Sequence, residues 1–293
     1  MIFRKQKEIS GHAGAIYSCT FNNGLIYTGS ADKFVARWIP EEGTQDKFAI
    51  RFDGSVYKVE VVGNKLLCGT SKGAFHVFDL TDRKEIKHFT QHKSGLFSIV
   101  HCPVFNHVYV GDADGNLSVW NSNDFELLIY LPFDCGKIRD IAIHQESGLI
   151  CLSCQDEKIR ILDPETFNLV REFKAHKDGA TASLFLNEMN QLLTGGKDAM
   201  LRLWDLDSGK CIKEIPAHNF AIYRLMLVGD VIISVSRDKT VKIWSKELDF
   251  LKRLDRKEGG HSHSVNDCAK ISETSFVTCG DDKRLVIWEL NRK

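Results

Sequence analysis

The chain repeats itself seven times. The segments ADKFVARW, SKGAFHVF, ADGNLSVW, QDEKIRIL, KDAMLRLW, RDKTVKIW and DDKRLVIW share one register and end on Trp38, Phe78, Trp120, Leu162, Trp204, Trp244 and Trp288. Successive ends lie 40, 42, 42, 42, 40 and 44 residues apart. A spacing this even requires one supersecondary unit used repeatedly, and a unit of that size cannot bury its apolar face alone, so the copies must stack. Within each copy, short runs of Val, Ile, Leu, Phe and Thr are interrupted by Gly, Asp and Asn. That is how antiparallel strands joined by tight turns read.

Four strands in about 40 to 45 residues is the repeat of a β-propeller. Seven copies predict an all-β, seven-bladed β-propeller with four antiparallel strands per blade. A second marker precedes the first in five copies: His12, His92, His176, His218 and His261 are followed after 20 to 22 residues by Asp32, Asp114, Asp198, Asp238 and Asp282. In each of the five, the aromatic comes six residues after the aspartate. With the dipeptide Trp204 and Asp205, these residues resemble the WD-repeat (WD40, β-transducin repeat) family, over essentially the whole chain. Residues 1–293 are therefore expected to form a single propeller domain. Residues 2–9, IFRKQKEI, read like the outer strand ahead of the later histidines, as in LVREFKAH and KCIKEIPAH. The N-terminal strand is expected to close the last blade.

The resemblance implies a role for each recurring residue. In the family, the histidine lies between the outermost and innermost strands and the aspartate in the turn between the second and third. A hydroxyl four residues before the aspartate lies on the second strand, and the tryptophan on the third. An indole N–H only donates, a hydroxyl does both, a neutral imidazole does one of each and a carboxylate only accepts, so Trp, Ser/Thr, His and Asp form a fully partnered chain. The hydroxyl position holds Thr28, Thr194, Ser234 and Thr278 in blades one, five, six and seven. Blade three has Val110 there, which predicts a broken relay between Trp120 and His92. Blade two, with Phe52, Cys68, Lys72 and Phe78, has lost the set, and blade four, with Asp134, Leu152, Asp156 and Leu162, keeps only Asp156.

Charge and cysteine usage narrow the surroundings. Lys plus Arg and Asp plus Glu number 39 each, so no global field draws the chain to nucleic acid or an anionic membrane. The first ten residues lack the apolar core of a secretory leader, and no stretch approaches the about 20 apolar residues of a membrane span. Nine cysteines without a spacing framework suit free thiols in a reducing compartment. Together these predict a cytoplasmic, intracellular protein, with a nuclear location open to a eukaryotic one, monomeric by itself and away from membranes.

Three constellations invite a chemical reading. Ser or Thr with His and Asp is the inventory of a hydrolase triad, but a nucleophile occurs once, whereas this set recurs at one register. Cys151 and Cys154 are three apart on an expected strand and so face opposite ways, which disfavours a zinc or redox pair. His261 and His263 could share a metal, but His261 belongs to the relay and no third ligand is evident. No catalytic residue, cofactor or metal is expected, and the protein is expected not to be an enzyme.

Function is then expected on the face where family members commonly dock partners, around the mouth of the central channel. The residue five places after the histidine position opens the innermost strand and points there: Tyr17, Tyr57, Phe97, Arg139, Thr181, Tyr223 and Asn266. Lys137, Lys197, Arg237 and Asp281 lie beside them in the adjoining turns. Aromatics with arginine are the composition of binding hot spots. The expected partner-binding residues are Tyr17, Tyr57, Phe97, Lys137, Arg139, Lys197, Tyr223, Arg237, Asn266 and Asp281. The partner is expected to be a protein or peptide carrying an anionic element against Lys137, Arg139, Lys197 and Arg237. The reading is a scaffold or adaptor; the alternatives are an enzyme using the channel and a single-stranded nucleic-acid binder, the latter disfavoured by zero net charge.

Overall fold

The computed structural model describes residues 2–291; Met1, Arg292 and Lys293, which the expected 1–293 domain includes, lie outside the described residues. β1 is Ile2–Ser10. Blade one is β2 (Ile16–Asn22), β3 (Leu25–Ser30), β4 (Phe34–Ile39) and β5 (Thr44–Arg51), and blade two is β6 (Val56–Val62), β7 (Lys65–Thr70), β8 (Phe75–Asp79) and β9 (Lys84–Phe89). Blade three is β10 (Leu96–Cys102), β11 (His107–Asp112), β12 (Asn116–Asn121) and β13 (Leu127–Pro132). Blade four is β14 (Ile138–Ile143), β15 (Ile150–Cys154), β16 (Lys158–Leu162) and β17 (Leu169–Lys174). Blade five is β18 (Ala180–Leu186), β19 (Gln191–Gly196), β20 (Met200–Asp205) and β21 (Cys211–Pro216). Blade six is β22 (Ile222–Val228), β23 (Val231–Ser236), β24 (Val241–Trp244) and β25 (Phe250–Leu254), and blade seven is β26 (Val265–Ser272), β27 (Ser275–Gly280) and β28 (Arg284–Asn291) with β1.

These are seven four-stranded sheets, each a meander in chain order except the last, whose order is β26-β27-β28-β1. The chain is a seven-bladed β-propeller with no α-helix among the described residues, as the repeat predicts. β1 runs antiparallel to β28 from Ile2 opposite Asn291 to Ser10 opposite Arg284, so the N-terminal strand completes the seventh blade. Phe3 and Ile9 hold it there, both buried.

The described chain packs as two compact units, residues 2–61 with 223–291 and residues 62–222. In the first, one apolar core lies between the sheets of blades six and seven, around Phe3, Ile233, Phe276 and Trp288, and another between blades seven and one, around Ile16, Ile26, Trp38 and Val277. In the second, cores of the same kind join blades two and three around Leu67 and Trp120, blades three and four around Tyr109 and Leu152, and blades four and five around Cys151 and Trp204. Central strands are covered on both faces and are apolar nearly throughout, whereas the outer β17 and β21 alternate exposed and half-buried residues.

One turn recurs in every blade. Between the second and third strands the residue after the aspartate position has positive φ: Lys33, Gly73, Gly115, Glu157, Ala199, Lys239 and Lys283. Only two of the seven are glycine, and these two have an added reason. A Cβ on Gly73 would lie 2.6 Å from the His92 carbonyl oxygen and one on Gly115 2.9 Å from the Cys135 amide nitrogen.

Candidate functional site

The relay is built as the residue chemistry requires. In blade one the Trp38 indole donates to Thr28 Oγ1 at 2.7 Å, Thr28 Oγ1 meets His12 Nε2 at 2.7 Å, and His12 Nδ1 meets Asp32 Oδ2 at 2.8 Å. Asp32 also accepts the amides of Ala13 and Phe34, which binds the turn to the incoming loop. Blade five repeats this with Trp204, Thr194, His176 and Asp198, and blade seven with Trp288, Thr278, His261 and Asp282. In blade six the Trp244 indole donates to Ser234 at 2.8 Å. The three threonines are wholly buried, so their hydroxyls serve the fold and cannot meet a substrate.

Blade three corrects the sequence expectation. Its relay is intact: Trp120 donates to Ser118 Oγ at 2.7 Å, Ser118 Oγ meets His92 Nε2 at 2.7 Å, and His92 Nδ1 meets Asp112, not Asp114, at 2.7 Å. Ser118 is the direct cross-strand partner of Val110. The hydroxyl has moved across the ladder from β11 to β12, and the carboxylate two residues back along the chain.

Protonation follows burial. Burial pulls the His12 and His176 imidazoles below their ordinary range even though a carboxylate faces each. Burial alone would raise Asp32, Asp198 and Asp282, but hydrogen bonds from their histidines and from backbone amides hold all three below the usual carboxylate range. In blades one and five the relay therefore pairs neutral imidazole with carboxylate.

Four of the expected docking residues, Tyr17, Phe97, Arg139 and Asn266, are positioned by a recurring β-bulge. In blade one, Ile16 faces Ser30 and Ser18 faces Gly29, which leaves Tyr17 as the extra residue. The same irregularity singles out Phe97, Arg139 and Thr181 in blades three to five and Asn266 in blade seven. A bulge re-aims one side chain off the ladder, so these residues leave the sheet where their neighbours stay within it.

In the unit of residues 62–222, Lys137 Nζ and the Arg139 guanidinium lie 5.3 and 4.7 Å from the centre of the Phe97 ring. All three are half-buried, and Lys197 is exposed. Thr181 departs from expectation: it is buried and donates to the carbonyls of Gly195 and Ile222. In the other unit, Tyr17 and Tyr57 meet edge to face at 5.3 Å. Asn266 donates to the Ile16 carbonyl and to Asp281, fixing an exposed carboxylate beside the pair. Burial, then Tyr57 and Asp281, raise the Tyr17 phenol. Tyr223 is half-buried and Arg237 exposed in this same unit.

Sequence reasoning stopped one residue short of a set of inner-strand polar groups. Immediately after the bulge, Ser18, Ser98, Asp140 and Asp267 accept the inner-strand amides of Val59, Ile141, Ser183 and Cys19 from the adjacent blade. The one-residue step was the available signal, because a bulge turns consecutive residues in different directions. Cys151 and Cys154 point into different cores, as their spacing predicts.

Comparison with known proteins agrees with this geometry. The repeat profile described as "WD domain, G-beta repeat" matches residues 3–38, 83–121, 167–205, 209–245 and 252–289. The two long unmatched stretches, residues 39–82 and 122–166, hold the positions in blades two and four where the full relay set is missing. The chain is 30% identical over 205 residues to "U3 small nucleolar RNA-associated protein 21 homolog" of Schizosaccharomyces pombe, covering 68% of this chain and 22% of that one. It is 24% identical over 263 residues to human "WD repeat-containing protein 36", covering 83% and 29%. It is 23% identical over 281 residues to human "Cilia- and flagella-associated protein 52", covering 93% and 44%. The chain thus spans less than half the length of these relatives. The sevenfold blade, the repeated relay and the matched profile agree: this chain belongs to the WD domain, G-beta repeat family.

Proposed function

We propose that this protein is a WD-repeat interaction scaffold, with residues 1–293 serving as one propeller domain that holds a partner segment and performs no chemistry of its own. The observation that carries the reading is the bulge, which takes one side chain out of the ladder at the same register in blades one, three, four and seven and supplies two aromatic and charged patches. Phe97 under Lys137 and Arg139, with Lys197 exposed, is suited to an anionic side chain lying against an apolar one. Tyr17 and Tyr57, with Asn266, Asp281, Tyr223 and Arg237, offer the second patch. The inner-strand carboxylates Asp140 and Asp267 are occupied by backbone amides, which supports binding over catalysis in the channel. The names of two relatives, a U3 small nucleolar RNA-associated protein and a "U5 small nuclear ribonucleoprotein 40 kDa protein", favour a protein partner inside a ribonucleoprotein assembly and an intracellular, nuclear or cytoplasmic workplace.

The test is quantitative affinity capture from native lysate, comparing wild type with Arg139→Glu/Lys197→Glu and with Tyr17→Ala/Tyr57→Ala. The reading expects the same set of proteins to be lost from a variant while an outer-strand control, Lys213→Glu, retains them. Capture that is equal for all four proteins sinks it. A second reading, binding of single-stranded nucleic acid, is favoured by the cation and aromatic pairing at Phe97; it predicts a steep loss of affinity for a single-stranded oligonucleotide as salt rises.

A further inference from the structure

Blade two lacks the relay, and the space beside it holds a different polar cluster. His76 on β8 has Cys68 as its cross-strand partner on one side and His88 on β9 on the other. In a regular strand Glu85 and His88, three apart, would face opposite ways. A bulge between Val77 and Phe78 alters this: Phe78 faces Glu85 and Val77 faces Lys87, so Ile86 is extra and Glu85 falls on the same face as His88. His76 Nδ1 lies 2.6 Å from Glu85 Oε1. The rings of His76 and His88 are stacked, 4.4 Å apart and within 7° of parallel. One ligand atom from each of the three residues lies within 4.8 Å of the others.

The corresponding pairs in blades four and five are Arg160 with Glu172 and Arg202 with Glu214, each an ion pair that satisfies itself. At the same register blade two sets imidazole against imidazole, a pair without opposite charges that brings nitrogen lone pairs from two rings to one face. A divalent cation can accept a lone pair from each ring, and the Glu85 carboxylate supplies charge.

We propose that His76, His88 and Glu85 form a zinc-binding site on the outer part of blade two. Two imidazoles and a carboxylate are a donor set that suits Zn²⁺, with water in the fourth position. Bonds of about 2.0 to 2.2 Å place tetrahedral ligands roughly 3.4 Å apart, so donors lying within 4.8 Å of one another must close by up to about 1.4 Å, which rotamer adjustment of the exposed His88 and Glu85 supplies. His88 and Glu85 are exposed, which gives the ion a path, and His76 is braced by stacking on Phe78 at 6.3 Å.

The experiment is titration of the metal-free full chain with Zn²⁺ alone by calorimetry, alongside the visible d–d spectrum with Co²⁺. The expected result is one equivalent bound and a four-coordinate Co²⁺ spectrum, with affinity down about tenfold or more in His88→Ala and in Glu85→Gln. Cys211→Ser and His263→Gln should bind as wild type, and all variants should melt alike in chelator, because the substituted side chains lie at the surface. Absence of stoichiometric Zn²⁺ binding overturns the proposal. So does unchanged affinity in both His88→Ala and Glu85→Gln, or loss of binding in Cys211→Ser or His263→Gln.

Discussion

Lys58 Nζ lies 3.2 Å from Asp267 Oδ2, joining strands 209 residues apart, with both side chains nearly closed to solvent. Asp267 also accepts the Cys19 amide and faces the Arg224 guanidinium at 3.6 Å. In blade one the residue at Lys58's position is Ser18, which accepts the Val59 amide. A lysine cannot accept, so blade two reaches back to the carboxylate of blade seven. Removing one partner of a buried pair leaves a charge without compensation, which costs about 3 to 5 kcal/mol.

Asp267→Ala is therefore expected to lower unfolding free energy by about that amount, and Lys58→Met by less, because Arg224 and the Cys19 amide still serve the carboxylate. Urea unfolding of the two variants measures this. Equal midpoints for Asp267→Ala and wild type would remove the pair from the account of stability.

Blade three separates the observed relay from the one read off the repeat. Ser118→Ala strips a partner from both the Trp120 indole and His92 Nε2, and is expected to cost about 1 to 3 kcal/mol for each orphaned group. Asp112→Asn should also destabilise, whereas Asp114→Asn, at an exposed side chain, should stay within about 0.5 kcal/mol of wild type. A thermal melt in which Asp114→Asn is the more damaging of the two would restore the simpler register.

Acid sensitivity should come in two steps. His12 and His176 titrate lower when folded than when unfolded, so the unfolded chain takes up their protons first as pH falls. Their contribution is complete above the unfolded value of about 6.5 and is lost as pH falls below it. Asp32, Asp198 and Asp282 are also depressed, so theirs is complete above about 3.9 and lost on further acidification. Melting temperature against pH should be level at neutrality, decline first near pH about 6.5 and steepen near about 4. His12→Gln/His176→Gln should reduce the first decline; an undiminished decline in that double variant would refute the assignment.

The N-terminal strand should be indispensable. Phe3 is buried and meets Phe276 edge to face at 5.3 Å, and Arg284 pairs with Glu8 at 2.9 Å. Phe3→Ala is expected to cost about 3 to 5 kcal/mol, and deleting residues 2–9 should lower the melt further by baring the β28 edge. A deletion variant that melts with wild type would show that β1 adds nothing to the fold.

Blade number, strand count and the pairing of the chain's first strand with its last were legible because they depend on periodicity, which local chemistry writes along the chain. The relays of blades one, five and seven were legible for the same reason: each member has its own position in the repeat. Blade three was not, because Val110 and Ser118 are neighbours only across the ladder, and a hydroxyl can move between them without changing what it bonds.

The sequence by itself determined that one four-stranded sheet recurs seven times and which residues link its turns to its interior. Only the tertiary structure decided which side chains leave the ladder, that Asp267 meets Lys58, and that His76, His88 and Glu85 share a face. The physical reason is the β-bulge. One extra residue reverses the facing of everything beyond it, and whether a strand bulges is set by the strand it pairs with.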